Sequence, residues 1–212
     1  MCGRLNLSDL DGIRQLMADI GLPLFDEDNF ELRYNIAPTS ALSCLRTLKT
    51  TQWQTMHWGM PLANGPLVIN ARVESVVEKP TFKHLLGQRC LVPINGFYEW
   101  QKRNAQRHAW YFEAESEPAL SLAALWRETH TGPQLALLTC AADQHMACVH
   151  HRMPIAVGAK QALAWLNGDT ALHVKPPAMQ KRRVGHWVDN AKNQGSRCLD
   201  APESEPYTPD LF

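Results

Sequence analysis

The 212-residue chain has no C-x-x-C pair, no excess of charge and no long apolar run. Each absence excludes something. Six cysteines without metal-type spacing argue against a structural zinc site. In a chain expected to be cytosolic, they also argue against a disulfide framework. Lys plus Arg number 21 and Asp plus Glu 21, so an overall basic field of the kind many nucleic-acid binders carry is missing. Any anion-binding surface must come from local clustering of arginines. No apolar run approaches the ~18–20 residues that span a bilayer. No basic stretch followed by an apolar one opens the chain, so no secretory signal is expected and the protein is read as cytoplasmic. Internal repeats are absent as well.

What is present reads as one α+β domain. SDLDGIRQLMADIGL has an apolar helical stripe, with Ser8 expected as N-cap and Gly21 as the closing residue. RYNIAPTS reads as a loop. ALSCLRTL, QWQTMHWGM, HAWYFEA, ALSLAALWRE and QLALLTCAA read as strands. Asn95–Gly96, between RCLVPI and FYEWQK, reads as a hairpin turn. ESVVEKPTFKHLL is expected to be helical with Pro80 interrupting it, and AKQALAWLNG is a short helix ending at Gly168. The expected architecture is mostly antiparallel strands, as two packed sheets or a partly closed barrel, with peripheral helices. The domain is expected over residues 2–198. Residues 199–212 are polar, acidic and proline-rich, and are expected to be a disordered tail.

Four stretches can carry chemistry: MCGR, INARVE, NGFYEW and VHHRMP. If Met1 is trimmed, Cys2 carries an α-amine and a thiol on adjacent carbons, with ordinary pKa values near ~7.7–8.0 and ~8.5. An accidental second-position cysteine is the bland alternative. In an extended INARVE, Asn70, Arg72 and Glu74 share one face, which suits either a groove lining or a plain solvated strand. Glu99 lies among three aromatics. An apolar setting raises a carboxyl pKa and suits a proton shuttle, whereas Lys102 would make it an ordinary strand-edge glutamate. Adjacent strand residues face opposite ways, so only one of His150 and His151 is expected to face a site. Together these groups fit attack on an aldehyde. The amine condenses to an imine, the thiol closes a thiazolidine, Glu99 acts as general acid, and Arg4 and Arg72 hold flanking phosphates.

MCGR, RYNIAP, HWGM, INARVE, NGFYEW, VHHRMP and the late NAKNQG occur in the order of the SRAP family, the SOS-response-associated peptidase domain, and the chain resembles it from Cys2 to about residue 198. The resemblance implies single-stranded DNA binding and a covalent crosslink between Cys2 and the aldehyde of an abasic site, without metal or cofactor. It implies roles for Cys2 as nucleophile, for Asn70 and Glu99 in positioning and protonation, and for His150 in ring opening, strand cleavage or reversal. It implies DNA contacts from Arg4, Asn35, Arg72, Lys79 and Arg152, and leaves open AP-lyase activity and self-removal of Met1. The expected protein is a monomer with no membrane partner.

Two departures from the family pattern stand out. Where relatives carry a tryptophan-bearing loop, this chain has MPLANGPLV, so weaker binding to undamaged strands or a different wedge is expected. At EKPTF, Lys79 stands where an arginine is common, and it can neutralise a phosphate without gripping it bidentately. The terminal YTPDLF resembles peptides that dock into bacterial sliding clamps through residues such as Leu211 and Phe212. Two other classes stay open: a class II glutamine amidotransferase, which also begins Met-Cys-Gly, and a non-catalytic single-strand binding module.

Overall fold

A computed structural model describes residues 2–22, 30–62 and 65–203. The tail positions Leu211 and Phe212, and Met1, lie outside the described residues. The strands are β1 (Leu5–Leu7), β2 (Arg33–Ile36), β3 (Ala41–Thr47), β4 (Thr51–Trp58), β5 (Met60–Pro61), β6 (Leu67–Val68), β7 (Asn70–Arg72) and β8 (Arg89–Ile94). They continue with β9 (Gly96–Arg103), β10 (Gln106–Ala114), β11 (Leu120–Arg127), β12 (Gln134–Ala141), β13 (Arg152–Pro154), β14 (Ala156–Val157) and β15 (Met179–Val184). The helices are α1 (Leu10–Ile20), α2 (Val73–Val76), α3 (Pro80–Lys83), α4 (Gln144–Ala147) and α5 (Ala159–Asn167), with 3-10 turns at His186–Asp189 and Ser196–Leu199.

β12, β4, β3, β8 and β11 pair in a ring that returns to β12, which makes a small closed barrel. Closure explains why β11 and β12 read as near-continuous apolar runs rather than alternating ones. Leu120, Leu122, Ala123, Ala124 and Leu125 are all buried, one face inside the barrel and the other under neighbouring elements. Helix α5 lies against α1, β3, β8 and β14. The second layer is a five-stranded antiparallel sheet in the order β15-β10-β9-β1-β2. The α+β class and the antiparallel bias follow the sequence reading, with parallel pairing among the described residues only where β12 meets β4 and β7.

Several local expectations give way. Asn95–Gly96 is not a hairpin: β8 pairs with β3 and β11 in the barrel, and β9 pairs with β1 and β10 in the other sheet. The Asn95 carboxamide accepts from the Ser8 and Asp9 amides at 2.8 and 2.9 Å and donates to the Asp9 carbonyl at 2.9 Å. A Cβ on Gly96 would stand 2.4 Å from the Phe112 carbonyl oxygen and from the Tyr111 ring. The dipeptide is therefore a crossing point between two sheets. RYNI is strand β2, paired with β1, rather than loop. Asp9, not Ser8, caps α1, because the Ser8 hydroxyl donates to Asn6.

The candidate active site and the family

The site forms where the two layers meet. Tyr98 donates its amide to the Arg4 carbonyl at 2.9 Å, and Leu5 pairs with Phe97, so the N-terminal segment runs antiparallel to β9 towards Glu99. From the barrel side, β7 pairs with β12 and sets Asn70 opposite Leu137. The turn after α4 delivers His150 just before β13. Asn70 Nδ2 donates to the Cys2 carbonyl at 2.7 Å and ties the two layers together at the reacting residue. Asn70 Oδ1 is buried and takes no hydrogen bond from the described residues.

Beside Cys2 lies a cleft of about 480 Å³ lined by Gly3, Arg4, Glu99, Trp100, Lys102, Arg107, His150 and Asp189. Glu99 is 3% exposed, and burial pushes its carboxyl above the usual range. Cys2 is fully buried; burial first, and then the Glu99 charge, push its thiol well up. The two proton holders are thus coupled: the thiol sheds its proton more readily when Glu99 holds one. His150 Nδ1 lies 3.0 Å from the Arg152 amide and 3.1 Å from the Arg152 carbonyl oxygen. It can accept from the first when neutral and donate to the second when protonated, so the ring keeps its place through a proton transfer. The rim is cationic and aromatic: the Arg4 and Arg107 guanidinium groups sit 5.4 and 5.3 Å from the Trp100 ring centre.

On the other side of Asn70, a second groove of about 590 Å³ is lined by Asn70, Arg72, Ser75 and Lys79 among apolar residues that include Leu62 and Phe82. Arg72 and Lys79 are exposed there. Arg4, Glu99 and His150 thus line the cleft beside Cys2, and Arg72 and Lys79 line the second groove, which Asn70 links to Cys2.

Four readings of the motifs are corrected. Arg152 is 7% exposed and grips Glu74 bidentately at 2.7 and 2.9 Å while donating to the Thr139 carbonyl at 2.7 Å. Its guanidinium braces the site from inside. INARVE is extended only to Arg72; Glu74 lies in α2 and leaves the face of Asn70 to meet Arg152. Asn35 is 1% exposed, and its Nδ2 serves the carbonyls of Val188, Asn190 and Asn193 while its Oδ1 accepts from Arg4 at 2.6 Å. It pins the late NAKNQG segment and orients Arg4. His150 and His151 do not alternate on a strand. They stack with ring centres 4.4 Å apart, and the His150 charge lowers the exposed His151 imidazole.

Arg107 and Asp189 were missed in the sequence. Arg107 had a signal: β9 and β10 form a tight hairpin whose turn residues Asn104 and Ala105 have φ of 48° and 63°, and its register sets Arg107 opposite Lys102. Asp189 had none, because its place depends on Asn35, 154 positions earlier, holding the carbonyls around it.

Fold and site together define a two-layer α+β barrel protein with a cysteine at position 2 set beside a buried carboxylate and an imidazole. The chain belongs to the SOS response associated peptidase (SRAP) family, whose model matches residues 1–191. It is 30% identical to the abasic site processing protein YobE of Bacillus subtilis, over 96% of this chain and 98% of that one. It is 26% identical to the abasic site processing protein YedK of Escherichia coli, over 94% and 99%. A solved structure from Bacteroides thetaiotaomicron superposes with a TM-score of 0.76 at 18% identity, over 94% of this chain and 100% of that one, and shares the fold. Among the described residues no group of three or more His, Cys, Asp or Glu is placed to hold a metal ion, and no helix is long and apolar enough to cross a membrane.

Proposed function

We propose that the protein binds single-stranded DNA at abasic sites and joins Cys2 to the open-chain aldehyde of the sugar, which shields the lesion. The observation that carries this reading is the cleft itself. Asn70 holds the Cys2 backbone beside the Glu99 carboxyl and the His150 imidazole, two groups that can give and take a proton, and arginines stand at the rim where phosphates would pass. The names of the relatives point the same way.

Once Met1 is removed, the Cys2 amine adds to the aldehyde carbon and forms a carbinolamine. Glu99 gives its proton to the departing hydroxyl, which leaves as water, and an iminium remains. The Cys2 sulfur then adds to the iminium carbon and its proton passes to Glu99. A C–N and a C–S bond have formed, one water has left, and Glu99 ends as it began. The burial of Glu99 supports this cycle, since a raised pKa lets the carboxyl keep its proton to a higher pH than an ordinary one and recover it after giving it up. In this reading His150 assists opening of the sugar hemiacetal, and Arg4, Arg72, Lys79 and Arg107 hold the phosphates. The same iminium is the species from which strand cleavage by β-elimination would proceed. Removal of Met1 by the same groups is part of the proposal.

The test is a denaturing gel of protein, its N-terminus checked by mass, with single-stranded DNA holding one abasic site. A heat-stable shifted band is expected for wild type and none for Cys2→Ala. Equal behaviour of the two would overturn the reading.

A further inference from the structure

We infer that Trp187 and Arg197 form a second nucleobase platform, next to the catalytic cleft, that takes an undamaged base of the same DNA strand. The inference rests on the reading of the cleft as a DNA site. Trp187 is 37% exposed, one of the few large apolar side chains the described residues leave in solvent. The Arg197 guanidinium lies 4.3 Å from its ring centre. Both line a hollow of about 440 Å³ with His186, Asn193, Asp200, Pro202 and Glu203. An indole beside a guanidinium plane is the pairing on which bases stack without regard to sequence.

The platform is fixed in advance. Trp187 Nε1 donates to the Gln194 carbonyl at 3.3 Å, and Asn193 Nδ2 donates to the Trp187 carbonyl at 2.7 Å. Gln194 in turn exchanges hydrogen bonds with the Asn35 backbone at 2.9 and 3.2 Å. Little ordering cost therefore remains to be met on binding.

Its position gives the occupant. Trp187 shares one 3-10 turn with Asp189, which lines the cleft, accepts from Trp100 Nε1 and pairs with His186. A strand whose lesion sits at Cys2 thus meets this hollow next along that edge. Asp200 and Glu203 on the hollow's wall disfavour a phosphate there, so the hollow takes the base and the backbone passes on the side of Arg197.

The test is fluorescence anisotropy with labelled, undamaged oligodeoxythymidine of about four and about twelve nucleotides. The longer strand is expected to bind Trp187→Ala about tenfold more weakly than wild type, the shorter one equally well, and Trp187→Phe is expected to restore most of the loss. Equal affinity of wild type and Trp187→Ala for the longer strand would overturn this inference and leave the cleft reading intact. So would equal losses at both lengths, or a Phe variant as weak as the Ala one, since either marks a merely structural indole. Failure of wild type to bind the longer strand would overturn this inference too, while the cleft reading is decided by the abasic-site gel.

Discussion

In the proposed cycle Glu99 gives a proton and then takes one back within the same turnover, and its surroundings decide whether it can. Its carboxyl is buried on the face of β9 that also carries Phe97, and burial raises its pKa. Replacing it with Gln keeps the shape and removes the proton. Crosslinking by Glu99→Gln should slow by roughly 100-fold or more in single-turnover gels. The wild-type rate should rise with pH as the Cys2 amine loses its proton and fall as pH passes the raised Glu99 pKa; the Gln variant should lack the falling limb. Stability should move the other way. An unfolded carboxyl titrates near ~4.3, so a raised folded value costs stability as pH climbs from there through the folded pKa. Glu99→Gln should melt above wild type at neutral pH, with the difference closing in acid. That Cys2, Glu99 and Asn70 are candidates for the proposed chemistry was legible in the sequence because it depends on residue type. The duties of Asn35 and Arg152 were not. An arginine reads as a phosphate contact until the fold reveals a carboxylate 78 positions away that occupies it.

At the level of elements, the site depends on two joints. One is the Glu74–Arg152 pair, which fastens α2 to β13 and β12. The Arg152 hydrogen bonds draw the Glu74 carboxyl down to about 2. Its stabilisation is full above the unfolded value near ~4.3 and is lost as pH falls towards the folded one. Glu74→Gln should cost about 2 kcal/mol in urea melts at pH 7, less than a fully buried pair would because Glu74 is half-exposed. The difference should shrink in acid. The other joint is Asn95–Gly96. Gly96→Ala forces a Cβ into the Phe112 carbonyl and should cost about 3 kcal/mol by the same assay. This joint explains why the fold was only partly readable. Strand periodicity marked β8 through β12, and Gly21 and Gly168 marked the ends of α1 and α5. An Asn-Gly pair carries the same local signal whether it turns a hairpin or hands the chain from one sheet to another. The deciding contacts here come from Ser8, Asp9, Tyr111 and Phe112, far away in sequence.

For the molecule as a whole, zero formal charge and a DNA-binding role are compatible because the basic groups are gathered. Arg4, Lys102 and Arg107 stand at one groove, whose lining holds the two acids Glu99 and Asp189, and Arg72 and Lys79 stand at the next, whose lining among the described residues holds none. With these few groups as the proposed phosphate contacts, the slope of log affinity for single-stranded DNA against log salt should be shallow, about −3. A slope near zero would leave the arginines without a DNA role. The central claim is narrower: both nucleophiles of Cys2 end up bonded to one carbon. The most direct measurement is the intact mass of the crosslinked species after treatment with a thiol-alkylating reagent under denaturing conditions, with Cys2 located by peptide mapping. The account predicts protein lacking Met1 plus DNA minus one water, with Cys2 unalkylated. An adduct that retains Met1, or one in which the Cys2 thiol alkylates freely, would contradict it.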